Sequence, residues 1–181
     1  MPRSSEPFDG GGGVPTDAAS TATSTCRDRD DGPRDPALAT ALDCLARRDY
    51  TGGEIRARVA KRFGDAAADA TLVRLQELRL IDDAAYAERY VRERFERAGY
   101  GPARIVDELC RRGIERTMAE DAVGGAIDAG AERRRAEELL NRYLATRRGD
   151  GDGDRDRAAA YRYLARRGFD EAVLCDLLGV S

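Results

Sequence analysis

The chemistry this chain could perform is carried mainly by arginine. Arg89, Arg92, Arg94 and Arg97 follow one another closely. Arg104, Arg111 and Arg112 come next, then Arg133-Arg134-Arg135, Arg142, Arg147-Arg148 and Arg166-Arg167. Lys61 is the only lysine. A guanidinium offers a planar fork of donors that fits carboxylate and phosphate bidentately, so the chemistry is recognition of anions. Coding bias is the competing account of so much arginine. The candidates for contact with a partner or with DNA are Tyr86, Arg89, Arg94, Arg104, Arg111, Arg112, Arg166 and Arg167. Many arginines have an acid one turn away, as in Glu88–Arg92 and Glu93–Arg97, so pairing along a solvated helix face competes with binding. Tyr86 and Tyr90 are also one turn apart, which suits a core as well as a contact.

Residues for bond-making are missing. The chain has no histidine, so no Ser-His or Cys-His pair can form. No G-x-x-x-x-G-K-[ST] phosphate loop is present, and the run Gly10–Gly13 follows no strand pattern. The four cysteines, Cys26, Cys44, Cys110 and Cys175, make no C-x-x-C pair; three of them fit helices as small apolar residues. Asp82-Asp83 is the most tempting acidic pair, and capping the helix that carries Tyr86 explains it better than a metal does. The residues give no reason to expect a cofactor, a metal or an enzyme.

The elements that must position these arginines are helical. Apolar residues make up 41% of the chain and aromatics only 6%, enough for several thin cores but not one thick one. Ala, Arg, Leu, Glu and Asp dominate, a vocabulary that favours helix over strand. Residues 1–35 are rich in Gly, Ser, Thr, Asp and Pro and are expected to be a disordered tail. They hold four Arg and seven Asp/Glu, which accounts for the whole net charge of −3 and leaves the body neutral. A neutral body argues against a generally basic nucleic-acid binder but allows local stripes. The N-terminus lacks an apolar signal region, and no apolar run approaches the ~18 residues of a membrane span. A cytoplasmic monomer with reduced thiols is expected.

Periodicity predicts helices over about 36–48, 51–62 and 66–79, then 83–98, 102–112 and 116–128, then 130–148, 157–167 and 170–178. Thr51 and Glu54 form a capping box, and Pro102 suits a first helical turn. The expected units are 36–82, 83–128 and 129–181, with an Asp/Gly-rich linker at about 149–156. One signature closes the second helix of each unit. It reads Lys61-Arg62-Phe63-Gly64-Asp65, Arg111-Arg112-Gly113-Ile114-Glu115 and Arg166-Arg167-Gly168-Phe169-Asp170, at spacings of 50 and 55 residues. Paired cations suit a helix C-terminus. Gly113 and Gly168 suit the left-handed residue that ends it. Ile114 and Phe169 should tuck under the turn, and Glu115 and Asp170 should stand at the next cap. Repeat one departs, with Phe63 at the glycine position. Stacked three-helix units should form an elongated, curved all-α array.

The middle of the chain carries a resemblance. Leu80-Ile81-Asp82-Asp83-Ala84-Ala85-Tyr86-Ala87, then Gly101-Pro102-Ala103-Arg104-Ile105, Glu108-Leu109 and Arg112-Gly113-Ile114, resemble the RecX regulatory family. The likeness continues through Tyr163-Leu164-Ala165-Arg166-Arg167-Gly168-Phe169 and covers about residues 37–179. It implies three tandem three-helix units. It also implies binding along a filament of the RecA recombinase on single-stranded DNA, with inhibition of ATP hydrolysis and strand exchange, and for some members direct DNA contact. It supplies no catalytic set. A helical nucleic-acid-binding protein acting without RecA is the alternative.

Overall fold

A computed structural model describes residues 35–146 and 153–179. The expected disordered tail, apart from Asp35, and residues 149–152 of the expected linker lie outside the described residues. The described chain is all helix and turn. The order is α1 (Pro36–Leu45), α2 (Gly52–Phe63), α3 (Asp65–Glu77), α4 (Asp83–Glu93), α5 (Pro102–Arg111), α6 (Arg116–Ala126), α7 (Ala129–Thr146), α8 (Gly153–Ala165) and α9 (Glu171–Leu178). A π-helical turn, Arg94–Ala98, extends α4. It ends on Gly99 at φ 64°, a left-handed stop that a glycine takes without strain.

Local rules account for most helix starts. Asp35 caps α1, accepting from the Ala37 N–H at 2.8 Å, ahead of Pro36. Thr51 and Glu54 form the full capping box on α2. Asp82 caps α4 through the Ala85 N–H at 2.9 Å, and Asp170 caps α9 through the Ala172 N–H at 2.8 Å. Glu115 occupies the N-cap position of α6 but makes no side-chain cap bond. Helix α8 starts four residues earlier than the periodicity predicts. Its first turn holds Asp154 and Asp156, and acids there complement the positive end of the helix dipole, so part of the Asp/Gly-rich stretch is helical.

Three apolar clusters lie along the chain. Ala37, Ala41, Ile55, Val59, Ala68 and Leu75 are buried between α1, α2 and α3. Ala87, Val91, Ile105, Leu109, Ile114 and Val123 are buried between α4, α5 and α6. Ala136, Leu139, Leu164, Phe169 and Leu174 are buried between α7, α8 and α9. Each fully buried Ile or Leu contributes about 1.5–3 kcal/mol. Side-by-side helix packing occurs within these groups, and successive groups meet through helix ends and turns. Two leucines of the apolar pattern face out instead: Leu78 at the end of α3 is 45% exposed and Leu144 in α7 is 40% exposed.

A candidate partner-binding face at the repeat joints

The basic-basic-glycine turn is where the groups join. Gly113 has φ 84° and Gly168 φ 82°, the left-handed region in which a Cβ is strained. Space forbids a side chain as well. A Cβ on Gly113 would lie 2.7 Å from the Gly53 Cα, and one on Gly168 would collide with the Arg104 backbone. The turn of repeat two is thus pressed on the start of α2, and the turn of repeat three on the start of α5. Ile114 and Phe169 are buried beneath their turns. Gly64, next to Phe63 in repeat one, also has positive φ, yet a Cβ there would touch nothing within 4 Å. Among the described residues the Gly64 turn is pressed on no other unit, so no close-approach glycine is needed there.

The two joints use different bonds. At the first, buried Thr51 accepts from the Glu54 N–H at 3.1 Å and donates its hydroxyl to the Arg112 carbonyl. Asp83 accepts from the Gly52 N–H at 2.8 Å. Arg112 Nη1 reaches Glu54 at 3.0 Å, and Arg48 reaches the same carboxylate at 3.3 Å. At the second, backbone meets backbone. The Gly101 N–H donates to the Arg167 carbonyl at 2.7 Å and the Ala103 N–H to the Gly168 carbonyl at 3.1 Å. Arg167 Nη1 donates to the carbonyls of Ala98 at 2.8 Å and Gly99 at 3.0 Å. Arg135 of α7 donates to the carbonyls of Phe95 and Glu96. Both arginines thereby satisfy the loose carbonyls that end the π turn.

The paired cations therefore divide by position. The second of each pair, Arg112 and Arg167, is held in a joint. The first, Arg111 and Arg166, is exposed, and neither guanidinium has an ion-pair partner among the described residues. Arg104 is also structural: it donates to Glu108 at 3.1 Å and to the Arg166 carbonyl at 3.3 Å, and stacks 3.7 Å from the Tyr100 ring centroid. Glu108 accepts the Tyr90 hydroxyl at 2.7 Å, with Arg94 at 3.7 Å. Burial pushes the Glu108 carboxyl up, but the Tyr90 hydroxyl, Arg104 and Arg94 outweigh it and hold the group below the usual carboxylate range. Tyr86, half-buried, stacks on Tyr90 with centroids 5.9 Å apart, and burial raises its hydroxyl pKa. Arg89 pairs with Asp49 at 3.1 Å. The pairs Glu88–Arg92 and Glu93–Arg97 do not form.

The eight candidate residues thus make no single stripe. Tyr86, Arg89, Arg94, Arg111 and Arg112 gather at the first joint, while Arg104, Arg166 and Arg167 gather at the second. The first joint also opens a cleft of about 690 Å³, lined by Arg48, Arg58, Lys61, Arg111 and Arg112 around Tyr50, with Glu54 as the only acid. Arg48, Tyr50, Arg58 and Lys61 were not among the candidates. The repeat could have found two of them, because Lys61 stands 50 residues before Arg111 and Arg58 is one turn earlier on the same helix. No group of three or more His, Cys, Asp or Glu could hold a metal ion among the described residues. No described helix is long and apolar enough to cross a membrane.

The comparisons with known proteins agree with this architecture. A family described as "RecX, second three-helix domain" matches residues 82–123. The regulatory protein RecX of Mycolicibacterium vanbaalenii is 36% identical over 148 residues, 78% of this chain and 80% of that protein. That of Thermus thermophilus is 38% identical over 143 residues, 77% of this chain and 88% of that protein. The crystal structure of RecX from Lactobacillus salivarius superposes with a TM-score of 0.62 at 25% identity, over 78% of this chain and 91% of that one. Relatives of this kind are named as regulatory proteins rather than enzymes. On identity and coverage together, the chain belongs to the RecX family of regulatory proteins.

Proposed function

We propose that this protein binds the RecA–single-stranded DNA filament and inhibits its ATPase and strand-exchange activities in recombination and DNA repair, acting in the cytoplasm as a monomer without a catalytic step of its own. The observation that carries this reading is the recurrence of one joint. The same glycine turn seats on the same helix start twice, so successive units present related surfaces at a set offset. A surface that repeats at a set offset suits a partner whose subunits also repeat. Arg111 and Arg166, exposed and without an ion-pair partner among the described residues, are the candidates best placed to reach that partner, and Arg89 would have to leave Asp49 to join them. Arg104, Arg112 and Arg167 act instead by holding the units in register.

The test is the DNA-dependent ATPase of cognate RecA, titrated with the folded protein. Inhibition at or below equimolar protein is expected. Arg111→Ala, whose guanidinium supports no contact within the fold, should weaken inhibition without changing helicity. Unchanged ATPase at saturating, folded wild-type protein would defeat the proposal.

A further inference from the structure

Helix α5 stands in both joints. Its first turn receives the turn of repeat three, and the turn that ends it is pressed on repeat one. Arg104, Glu108 and Arg112 follow at four-residue steps, so they line one face of the helix. Each end of that line is committed to a joint. Arg104 Nη1 donates to the Arg166 carbonyl at 3.3 Å in the second, and Arg112 Nη1 meets Glu54 at 3.0 Å in the first. Glu108 lies between them. One of its oxygens accepts from Arg104 Nε at 3.1 Å and the other from the Tyr90 hydroxyl at 2.7 Å. The Tyr90 ring centroid in turn lies 5.1 Å from the Arg112 guanidinium. A chain of contacts thus runs from one joint to the other through Glu108 and Tyr90.

One group beside this chain is unsatisfied. The Nε atom of Arg94 is buried and makes no hydrogen bond among the described residues. It stands 3.7 Å from the same Glu108 oxygen that Tyr90 occupies. A buried donor without an acceptor is costly, so Arg94 gains from any shift that brings it onto Glu108. Arg94 also opens the π-helical turn, and its carbonyl accepts the Tyr100 N–H at 3.1 Å. Single π turns are often found at functional sites. The second joint holds this one in shape, through Arg167 on Ala98 and Gly99 and through Arg135 on Phe95 and Glu96. We infer that Glu108 is a two-position switch that couples the joints. Tyr90 holds it while the second joint is closed, and Arg94 takes it when that joint opens and the π turn relaxes. Tyr90 then loses its anchor and Arg112 the ring beside it, so the first joint loosens with the second. The three units dock and undock together rather than pair by pair. Nothing in this inference depends on recombinase inhibition, and its failure leaves the ATPase reading untouched.

The experiment is native-state hydrogen exchange on the full chain. It follows the Gly52 N–H, bonded to Asp83 in the first joint, and the Ala103 N–H, bonded to the Gly168 carbonyl in the second. Arg167→Ala loosens the second joint and should speed exchange at Gly52 by about fivefold or more, the low end of coupling between sites. In a Tyr90→Phe background the same change should move Gly52 less than about twofold, as independent sites do. Arg94→Gln removes the competing cation and should block transmission as well, without the faster starting exchange that Tyr90→Phe brings. A residue that merely packs would alter the starting rates and leave the transmission alone. Coupling is reciprocal. Glu54→Gln, which keeps the capping box, should therefore speed exchange at Ala103, and only with the Tyr90 hydroxyl present. That arm decides the matter should Arg167→Ala fail to fold, and helicity checks every variant. Three results would overturn the inference. The first is a Gly52 indifferent to Arg167→Ala and an Ala103 indifferent to Glu54→Gln. The second is transmission of equal size with and without the Tyr90 hydroxyl, which would make α5 a simple rigid strut. The third is transmission in Arg94→Gln equal to that in the wild type.

Discussion

The two joints dock the same turn on the same helix start, yet they hold it with different chemistry. The second joint relies on backbone bonds and on arginines reaching carbonyls. The first relies on side chains: Arg112 on Glu54, the Thr51 hydroxyl on the Arg112 carbonyl, and Asp83 on the Gly52 N–H. One exchange accompanies the difference. Repeat one has Glu54 and Arg58 where repeat two, 50 residues on, has Arg104 and Glu108. In repeat two the pair closes on itself, Arg104 to Glu108 at 3.1 Å. In repeat one Glu54 is drawn into the joint, and Arg58 is left to line the cleft. Reversing one acid–base order thus turns a closed joint into one with free cations beside it.

The strongest way to break this comparison is to add one carbon at each joint. Gly101 and Gly53 have no positive φ, so alanine there tests close approach alone. A Cβ at Gly101 would collide with the Gly168 carbonyl, and one at Gly53 would lie 2.6 Å from Gly113 backbone atoms. Each alanine should cost about 1–3 kcal/mol, as overpacking does, with Gly101→Ala the larger because it also displaces two backbone hydrogen bonds. Gly125→Ala, in α6 with open space around it, should instead stabilise by roughly 0.5–1 kcal/mol. Urea titration measures all three. Equal effects at Gly53, Gly101 and Gly125 would remove the joints from the account.

Arginine truncation should follow the same order. Arg167→Ala leaves two carbonyls without their charged donor and should cost about 1.5–3 kcal/mol. The coupling between Arg112 and Glu54 in a double-mutant cycle should be nearer 1 kcal/mol, since both are partly exposed. Salt separates the joints more gently. Raising ionic strength should speed hydrogen exchange at the Gly52 N–H more than at the Gly101 N–H, because screening weakens exposed pairs and not backbone bonds.

The smallest effects concern pH, and two carboxyls, the half-buried Glu108 and the buried Glu132, should oppose each other. Glu108 lies below the usual range, so its contribution is present above the unfolded-state pKa of about 4.3. That contribution is lost as pH falls through the lower folded value. Glu132 is raised by burial, against the Asp170 N–H that it accepts at 2.8 Å. Its cost is absent at acid pH and grows as pH rises from the unfolded pKa through the higher folded one. Glu108→Gln should therefore flatten the acid side of the stability profile, and Glu132→Gln should reduce the decline above it. Chemical denaturation between pH 3 and 7 reads both.

Much of the fold was legible because its signals are local. Thr51 with Glu54, Asp82, Pro102 and Gly113 announce helix ends within four residues of themselves. The early start of α8 and the outward Leu78 were not legible, since periodicity blurs where a helix meets a turn. The site was legible only in part, for a physical reason. Arg111 and Arg112 look alike in sequence, and only the docking of a turn from one unit on a helix of another assigns one to solvent and the other to Glu54. The same holds for Phe63. Its departure from glycine reads as an imperfection in sequence, whereas the turn at Gly64 has open space around it and makes no close approach.

The central claim is that joints holding the units in register create the surface that acts on the filament. The most direct measurement compares inhibition of the RecA ATPase by wild type and by Gly101→Ala, with helicity monitored in both. Inhibition weakened by about tenfold or more at unchanged helicity is the predicted result. Equal inhibition by a variant whose second joint is shown to be open by faster exchange at Ala103 would contradict the claim.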